Sequence, residues 1–280
     1  MNIKRMALVG TFLVMLLITA CGGGQPVKTF TIETPVPVHE EPTQEVWFYV
    51  GLGDSFTGYA TWPASYLSFL QEELGVTIKF KNWTIGAGKI TDQIEQIQTN
   101  EKLRSEIMQA RLITVNCGHD SFREPAYDYR DGNCGGTDGQ DCLREAYSQA
   151  EADWQAYLDE LIALRSPEEA AIVTFQGGIG LTETVCEWGS ECYETVTSYT
   201  KKWADFIEQT AVERGIYVVD TNRLVNGEDY DQPANQDLFK YDKVHWNNEG
   251  SAKVVELLIQ LDLHKKPPLV SDQWTLVVIG

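Results

Sequence analysis

The alternation of short apolar runs with longer segments of helical periodicity is the feature that most restricts the fold. Residues 46–52 form a continuous apolar run, which is typical of a strand buried on both faces of a sheet. Residues 63–74 then carry apolar side chains at helical spacing, and this alternation continues to residue 261. Strands that alternate with helices predict a three-layer α/β/α sandwich with a mainly parallel central sheet.

The same two patterns predict the other elements of the domain. Strands are expected at residues 77–82, 112–116, 171–175 and 216–220, and helices at residues 91–109, 141–165, 194–214 and 248–261. Ligands of such sheets bind outside the carboxyl ends of the strands, where Ser55, Gly118 and the loop after Phe175 fall. Residues 273–279 are apolar and β-prone, which is compatible with an additional edge strand.

Residues 1–20 have the composition of a cleaved export signal. Lys4 and Arg5 precede an apolar run that is too short to span a membrane. The run ends in Ala20-Cys21 and three glycines follow, a pattern that resembles the lipobox of bacterial lipoproteins, in which the cysteine is acylated. We therefore expect Cys21 to be a lipid anchor. The alternative is an ordinary secreted protein in which this cysteine has no such role.

The segment between the signal and the domain differs in composition from both. Residues 21–44 are rich in Gly, Pro, Thr and Glu and lack apolar periodicity, which predicts a flexible tether. The folded domain is expected at residues 45–264, followed by a C-terminal extension at residues 265–280. A domain on such an anchor is expected at the cell surface or on the periplasmic face of a bacterial membrane.

The net charge of the chain argues against nucleic acid as a binding partner. The chain has 22 basic and 41 acidic residues, which gives a net charge of −19. Binding to nucleic acid requires clustered cations, so nucleic acid is not an expected partner.

The cysteines indicate an oxidising compartment. Cys134 and Cys142 bracket a polar, Gly-rich loop, and Cys186 and Cys192 bracket a second short loop, so each pair can close a local disulfide ring. Zinc binding is the competing use of cysteine, but neither pair has C-x-x-C spacing and no His lies near either one. We expect two disulfides and no metal site. Cys117 lies in an apolar segment and is expected to be a buried free thiol.

Three residue types that together support nucleophilic catalysis occur in the order Ser, Asp, His. Ser55 lies at the turn from the first strand into a helix, whereas Asp242 and His245 lie close together near the end of the domain. A serine hydroxyl is a poor nucleophile unless an imidazole accepts its proton, and a carboxylate must hold that imidazole in the correct tautomer. Each motif alone is common as a helix cap or a surface pair, but the combination favours a catalytic site.

Two segments, Gly53-Asp54-Ser55-Phe56 and Asp242-x-x-His245, resemble the first and last sequence blocks of the SGNH, or GDSL-type, hydrolases. The resemblance spans roughly residues 46–261 and implies the flavodoxin-like SGNH hydrolase fold. It also implies that Ser55 attacks an ester carbonyl, that His245 is the base and that Asp242 orients the base. The G-x-S-x-G elbow of the α/β-hydrolases is absent from this sequence.

The same resemblance implies an oxyanion hole with three donors. They are the backbone N–H of Ser55, a glycine N–H in a second block and an asparagine side chain in a third. The segment Asn82-Trp83-Thr84-Ile85-Gly86-Ala87-Gly88 is similar to the second block, which assigns the donor to Gly86 or one of its two neighbours.

The third block departs from the G-x-N-D pattern of the family, because this chain has Gly118-His119-Asp120-Ser121. Alignment on Gly118 puts Asp120 at the asparagine position, whereas alignment on Asp120 puts His119 there. The difference matters because an ionised Asp120 would repel the developing oxyanion, whereas His119 can donate from a ring nitrogen.

Two classes of function follow from these residues. The first is a surface-tethered esterase that hydrolyses a carboxylic ester with a small acyl group, such as an acetylated carbohydrate or a short-chain ester, through an acyl-enzyme. The second is a binding lipoprotein that keeps the fold but has weakened catalysis, which the altered third block would explain. Neither requires a cofactor. The expected partners are an ester substrate and, through Cys21, a membrane.

Overall fold

Five parallel strands form the centre of the structure, a computed structural model that describes residues 45–176, 181–230 and 232–263. The strands are β1 (Val46–Gly53), β2 (Thr77–Asn82), β3 (Ala110–Asn116), β4 (Ala171–Phe175) and β5 (Tyr217–Val219). They lie in the order β2-β1-β3-β4-β5, and each neighbouring pair is parallel. The predicted parallel sheet is confirmed.

Helices connect the strands and cover the sheet. Within the described residues they are α1 (Ser55–Gly58), α2 (Trp62–Leu74), α3 (Ile90–Thr99), α4 (Glu101–Gln109), α5 (His119–Arg130), α6 (Asp141–Leu164), α7 (Leu181–Val185), α8 (Glu191–Arg214), α9 (Thr221–Asn226) and α10 (Asn248–Gln260). A short 3₁₀ helix spans Gln236–Leu238.

Successive side chains of a strand point to opposite faces of the sheet and enter two separate apolar cores. In β1, Val50 belongs to one core and Tyr49 to the other, and in β3 Ile113 and Leu112 divide in the same way. The first core contains residues of α3, α4, α5, α6 and α8, and the second contains residues of α2, α9 and α10. The sheet is therefore the middle layer of the predicted three-layer sandwich.

The helix predicted over residues 91–109 is instead two helices, α3 and α4, which meet at Asn100. The backbone of Asn100 is extended, with φ −98° and ψ 98°, and its side-chain oxygen accepts a hydrogen bond from the N–H of Leu103 at 3.1 Å. The asparagine thus competes with the continuing helix and caps the next one.

The sequence patterns did not predict α5, because Pro125 lies inside it. A proline removes one intrahelical hydrogen bond and crowds the preceding turn. Phe122 and Ala126 are nevertheless both buried on one face of this helix. Their burial against the first core outweighs the cost of the proline.

Both predicted disulfides are present, between Cys134 and Cys142 and between Cys186 and Cys192. Cys117 is a free, buried thiol that directly follows β3, as expected. The predicted signal (1–20), the anchor at Cys21, the tether (21–44) and the C-terminal extension (265–280) with its edge strand lie outside the described residues. No helix among the described residues combines the length and the apolar character needed to cross a bilayer.

The turn from β1 into α1 requires glycine at position 53. Gly53 has φ +119°, and a Cβ atom there would overlap the backbone oxygen of Asn116 at the end of β3. The buried side chain of Gln93 braces the turn, because its Nε2 donates to the Gly53 carbonyl at 2.8 Å and its Oε1 accepts from the Gly53 N–H at 3.3 Å. The N–H of Asp54 donates to the same Asn116 oxygen at 2.8 Å. The ends of β1 and β3 are therefore held together immediately before Ser55.

Asp54 caps α1 from a position that is only 1% exposed. Its Oδ1 accepts a hydrogen bond from the N–H of Phe56 at 3.0 Å, and its Oδ2 has no hydrogen-bond partner among the described residues. Burial raises the pKa of Asp54 to about 8, and the carboxyl of Asp120 adds to the increase, although the backbone hydrogen bond opposes it. The carboxyl is therefore mostly protonated at neutral pH.

The raised pKa of Asp54 predicts a stability that falls with rising pH. The folded protein keeps this proton up to about pH 8, whereas the unfolded chain releases it near the ordinary value of 3.8. The folded state binds more protons between these values, so the free energy of unfolding should decrease there by up to about 1.4 kcal/mol per pH unit. Asp54→Asn keeps the acceptor for Phe56 and should remove this contribution. Urea denaturation across the pH range measures the difference.

Asp128→Asn is the matched control, because it removes an exposed aspartate of α5. It should leave the pH dependence as in the parent protein. Equal slopes for the parent and Asp54→Asn would contradict protonation by burial.

Candidate active site

Ser55 lies at the carboxyl end of β1 as the first residue of α1. The Gly53 turn and the Asp54 cap set its position. Ser55 is buried and lines a cavity of about 620 Å³. The cavity lies at the edge of the sheet where parallel strands end, the usual position of ligand sites in this architecture.

Asp242 and His245 lie in a loop whose ends are joined by an antiparallel bridge between Phe239 and Trp246. The Oδ2 atom of Asp242 is 2.8 Å from Nδ1 of His245. Its Oδ1 accepts hydrogen bonds from the backbone N–H groups of Val244 at 3.0 Å and His245 at 2.9 Å. Partial burial opposes ionisation, but these hydrogen bonds outweigh it and lower the pKa of Asp242 to about 2.

The ionised carboxylate determines the tautomer of His245. A carboxylate only accepts hydrogen bonds, so Nδ1 carries the proton and Nε2 keeps its lone pair. Nε2 is buried and has no hydrogen-bond partner in residues 45–176, 181–230 and 232–263, so it is not bonded to Ser55 here. Contacts between catalytic serine and histidine are often loose without substrate. His245 is thus an oriented base on the cavity that Ser55 also lines.

Contacts with α1 and the residue after it hold the histidine loop beside Ser55. Nζ of Lys240 donates to the backbone oxygen of Tyr59 at 2.8 Å. The ring centroid of Tyr59 lies 5.3 Å from that of His245, and the ring centroid of Phe56 lies 6.1 Å from it. These contacts bring together segments that are far apart along the chain.

The cavity collects every residue predicted for catalysis or the oxyanion hole. Its lining includes Ser55, Gly86, His119, Asp120, Asp242 and His245. The structure thus brings these residues together, and the role of each one stays a prediction. No group of three or more potential metal ligands is found among the described residues.

Hydrogen bonds of the second block show which of its backbone N–H groups could donate to an oxyanion. The N–H of Ile85 donates to the carbonyl of Gly53 at 2.8 Å, and that of Gly88 donates to the carbonyl of Ile85 at 3.0 Å. The N–H of Ile85 is therefore already used as a donor. Gly86 and its other neighbour, Ala87, both line the cavity, which leaves their N–H groups as the candidates in this block.

The third block forms the start of α5. Gly118 has φ +116°, and a Cβ atom there would lie 2.9 Å from the indole of Trp203. His119 follows as the first helical residue, and its ring centroid lies 5.1 Å from that of Phe56, the neighbour of Ser55. Only glycine fits this turn, which directs His119 and Asp120 to the cavity.

Asp120 is 4% exposed, and its Oδ1 forms an ion pair with Nη1 of Arg123 at 3.0 Å. Burial raises the pKa of Asp120, although the positive charges of Arg123 and Lys89 and the nearby His245 favour the ionised form. Whichever alignment of the third block holds, Arg123 offsets a charge that would otherwise oppose a developing oxyanion.

Sequence reasoning missed several cavity residues, among them Tyr59, Arg123 and Glu183. Arg123 lies three positions after Asp120, a spacing that indicates an ion pair once α5 is recognised as a helix. Tyr59 follows α1 and Glu183 lies in α7, and no local pattern in the sequence links either of them to His245.

Comparison with known proteins places the chain in a family. The sequence model of the GDSL-like lipase/acylhydrolase family matches residues 48–258. No curated protein has significant sequence similarity to the chain.

Solved structures share the fold at low sequence identity. The lipase Lip_vut3 from a goat rumen metagenome superposes with a TM-score of 0.61 at 13% identity, covering 76% of this chain and 96% of that chain. A lipase/acylhydrolase from Enterococcus faecalis has a TM-score of 0.51 at 9% identity, covering 80% and 100%. The acetyl xylan esterase AlAXEase has a TM-score of 0.51 at 16% identity, covering 76% and 98%.

The family match covers nearly all of the described domain, including Ser55, Asp242 and His245. The resemblance seen in the sequence motifs is confirmed at the level of the family. This chain belongs to the GDSL-like lipase/acylhydrolase family and is an ester hydrolase.

Proposed function

We propose that this protein is a serine esterase that acts through an acyl-enzyme on Ser55, with His245 as the base and Asp242 as its orienting group. One observation carries the proposal. The Asp242–His245 hydrogen bond of 2.8 Å leaves Nε2 buried on the cavity that Ser55 lines, with no hydrogen-bond partner in the described part of the chain.

In the first half of the reaction, Oγ of Ser55 attacks the ester carbonyl carbon while Nε2 of His245 takes the hydroxyl proton. The ionised Asp242 stabilises the imidazolium that forms, since its pKa of about 2 keeps it charged at neutral pH. The tetrahedral intermediate then collapses. Nε2 returns the proton to the departing alkoxide, and the alcohol leaves.

The negative charge of the tetrahedral intermediate needs donors that are already oriented. The candidates are the backbone N–H of Ser55, the N–H of Gly86 or Ala87, and the ring of His119, all from residues on the same cavity. In the second half of the reaction, Nε2 of His245 removes a proton from water as the water oxygen attacks the acyl carbonyl carbon. Nε2 then returns the proton to Oγ of Ser55 as the carboxylic acid leaves.

The lining of the cavity favours a small acyl group. Among the described residues that line it, only Ala87 and Val244 have aliphatic side chains. The others are polar, charged or aromatic, apart from Gly86. A long acyl chain would place its methylene groups against charged side chains and water, whereas an acetyl group needs little apolar surface.

We also propose that the enzyme is exported and held at a membrane through acylated Cys21. The Ala20-Cys21 junction after a short apolar run supports this anchor. The disulfides Cys134–Cys142 and Cys186–Cys192 support an oxidising compartment.

Substitution of the proposed nucleophile is the direct test of the esterase mechanism. Ser55→Ala should abolish labelling by a fluorophosphonate probe and lower kcat/KM for p-nitrophenyl acetate by about 10³-fold or more, because it removes the hydroxyl on which the proposed acyl-enzyme forms. Gel fluorescence reports the labelling of the protein, and the absorbance of the released p-nitrophenolate reports the rate of hydrolysis.

Ser68→Ala is the matched control, since Ser68 is exposed on α2, and it should behave as the parent protein. A folded parent that is neither labelled nor active would overturn the proposal and leave a binding lipoprotein as the better description.

Loss of the ion pair between Asp120 and Arg123 should lower kcat. Arg123→Gln leaves a carboxylate beside the developing oxyanion without its cation, so kcat for p-nitrophenyl acetate should fall on the order of 10-fold. Adding Asp120→Asn removes the charge itself and should restore most of the lost kcat. Steady-state kinetics of the two single variants and the double variant measure this coupling.

Arg130→Gln removes another arginine of the same helix that is exposed to solvent, and it should leave kcat unchanged. If Arg123→Gln and the double variant have the same reduced kcat, charge compensation is not the role of Arg123.

The proposed lipid anchor predicts that acylation and membrane association depend on Cys21. When the full chain is expressed in a bacterium, the parent should incorporate labelled palmitate and sediment with membranes, whereas Cys21→Ala should do neither. Thr29→Ala, in the predicted tether, should be labelled like the parent. An unlabelled, soluble parent would contradict the anchor without affecting the esterase proposal.

A further inference from the structure

We propose that a groove around Trp188 binds a sugar ring, so that the alcohol part of the ester is a carbohydrate. This inference rests on the proposed esterase function. The Trp188 groove is a cavity of about 400 Å³, a size typical of small-molecule sites, whose lining includes Trp188, Tyr193, Glu194, Thr197, Ser198 and Lys201.

Trp188 is presented to solvent on a rigid loop. It is 56% exposed, whereas Trp154 and Trp203 are completely buried in the core. The disulfide Cys186–Cys192 closes the loop that carries it. Among the described residues, Trp188 is the only tryptophan whose side chain is exposed.

Tyr193 fixes the orientation of the indole. The two rings meet edge to face, with centroids 4.7 Å apart and planes at 68°. The N–H of Tyr193 is capped by Oγ of Ser190 at 3.1 Å, which anchors this tyrosine at the start of α8. The Trp188 side chain is therefore preorganised, so a ligand would pay little conformational entropy to order it.

The chemistry of the groove matches a pyranose ring. A pyranose has an apolar C–H face, which packs on an aromatic ring, and a rim of hydroxyl groups, which need hydrogen-bond partners. Glu194 and Ser198 are exposed beside the indole, and Thr197 is partly exposed. Nζ of Lys201 is held nearby, donating to the backbone oxygen of Asp229 at 2.9 Å.

An acyl chain fits the same groove poorly. Glu194 and Lys201 place opposite charges on its rim, and an alkyl chain would desolvate them without replacing their hydrogen bonds. A neutral, polyhydroxylated ligand satisfies both groups without adding charge.

The Trp188 groove is linked to the cavity of Ser55 by shared residues. The hydroxyl of Tyr193 donates to Oε1 of Glu183 at 2.8 Å, and Glu183 itself lines the Ser55 cavity. The same Glu183 oxygen accepts from the N–H of Ala234 at 3.0 Å, which fixes the carboxylate. A small cavity of about 20 Å³ between the two is lined by Glu183, Tyr193 and Lys201, among others.

Two sites joined in this way suit a substrate that is longer than one sugar unit. The acyl group would lie at Ser55 while a neighbouring sugar of the same chain packs on Trp188. Binding energy from the remote sugar then adds to that of the reacting ester, so an acetylated oligosaccharide should be preferred to an acetylated monosaccharide.

The experiment compares substrates that reach the Trp188 groove with one that does not. Kinetics are measured on p-nitrophenyl acetate and on four series of chemically acetylated saccharides of one to six units. The series derive from xylan, cellulose, mannan and chitin. In at least one series, kcat/KM should rise about 10-fold with length. Trp188→Ala should lower the ratio of oligosaccharide to p-nitrophenyl acetate kcat/KM by a similar factor, mainly through KM.

Trp188→Phe keeps an aromatic face and should retain part of this preference. Val212→Ala removes an exposed apolar side chain elsewhere on α8 and should leave the ratio unchanged. Thermal unfolding checks that each variant remains folded.

The two proposals fail in different ways. A parent that does not hydrolyse p-nitrophenyl acetate or any oligosaccharide overturns the esterase function. A parent that hydrolyses p-nitrophenyl acetate, but whose preference for every oligosaccharide series is unaffected by Trp188→Ala, overturns only the sugar site.

Discussion

The close approach of Gly53 to the backbone of Asn116 is the contact on which the rest of the site depends. The carboxyl ends of β1 and β3 lie side by side as paired strands, and only glycine leaves room for this approach. Gln93 holds the junction with two hydrogen bonds. Ser55 leaves one of these strands, and the His119 segment leaves the other. The cavity is thus a consequence of where two parallel strands end.

Three carboxyl groups of the site, Asp54, Asp120 and Asp242, have different surroundings and therefore different charge states. Asp54 is desolvated and mostly protonated, Asp120 is buried but paired with Arg123, and Asp242 is ionised by hydrogen bonds that also orient His245. A strongly acidic chain can in this way build a site for a developing anion, because Asp54 is protonated, Arg123 offsets the charge of Asp120, and the charge of Asp242 is paired with the histidine.

The proposed substrate follows from two cavities with different linings. The Ser55 cavity has little aliphatic surface, which suits a small acyl group, and the Trp188 groove combines an exposed indole with polar neighbours. Glu183 and Tyr193 connect the two through a hydrogen bond between α7 and α8. The disulfide Cys186–Cys192 ties together the ends of the loop between these helices.

The sequence alone determined the strands, the parallel sheet, the Ser55 turn and the Asp242–His245 pair, because each depends on a local pattern or a short spacing. It did not reveal the break at Asn100 or the helix around Pro125, where capping and core packing override the periodic pattern. Only the tertiary structure decided that the N–H of Ile85 is already hydrogen-bonded and that Arg123 offsets Asp120 at the cavity. It also decided that the hydrogen bond between Tyr193 and Glu183 links the Trp188 groove to the Ser55 cavity. These relations join distant segments, and the docking of loops and helices sets their distances, which no sequence spacing encodes.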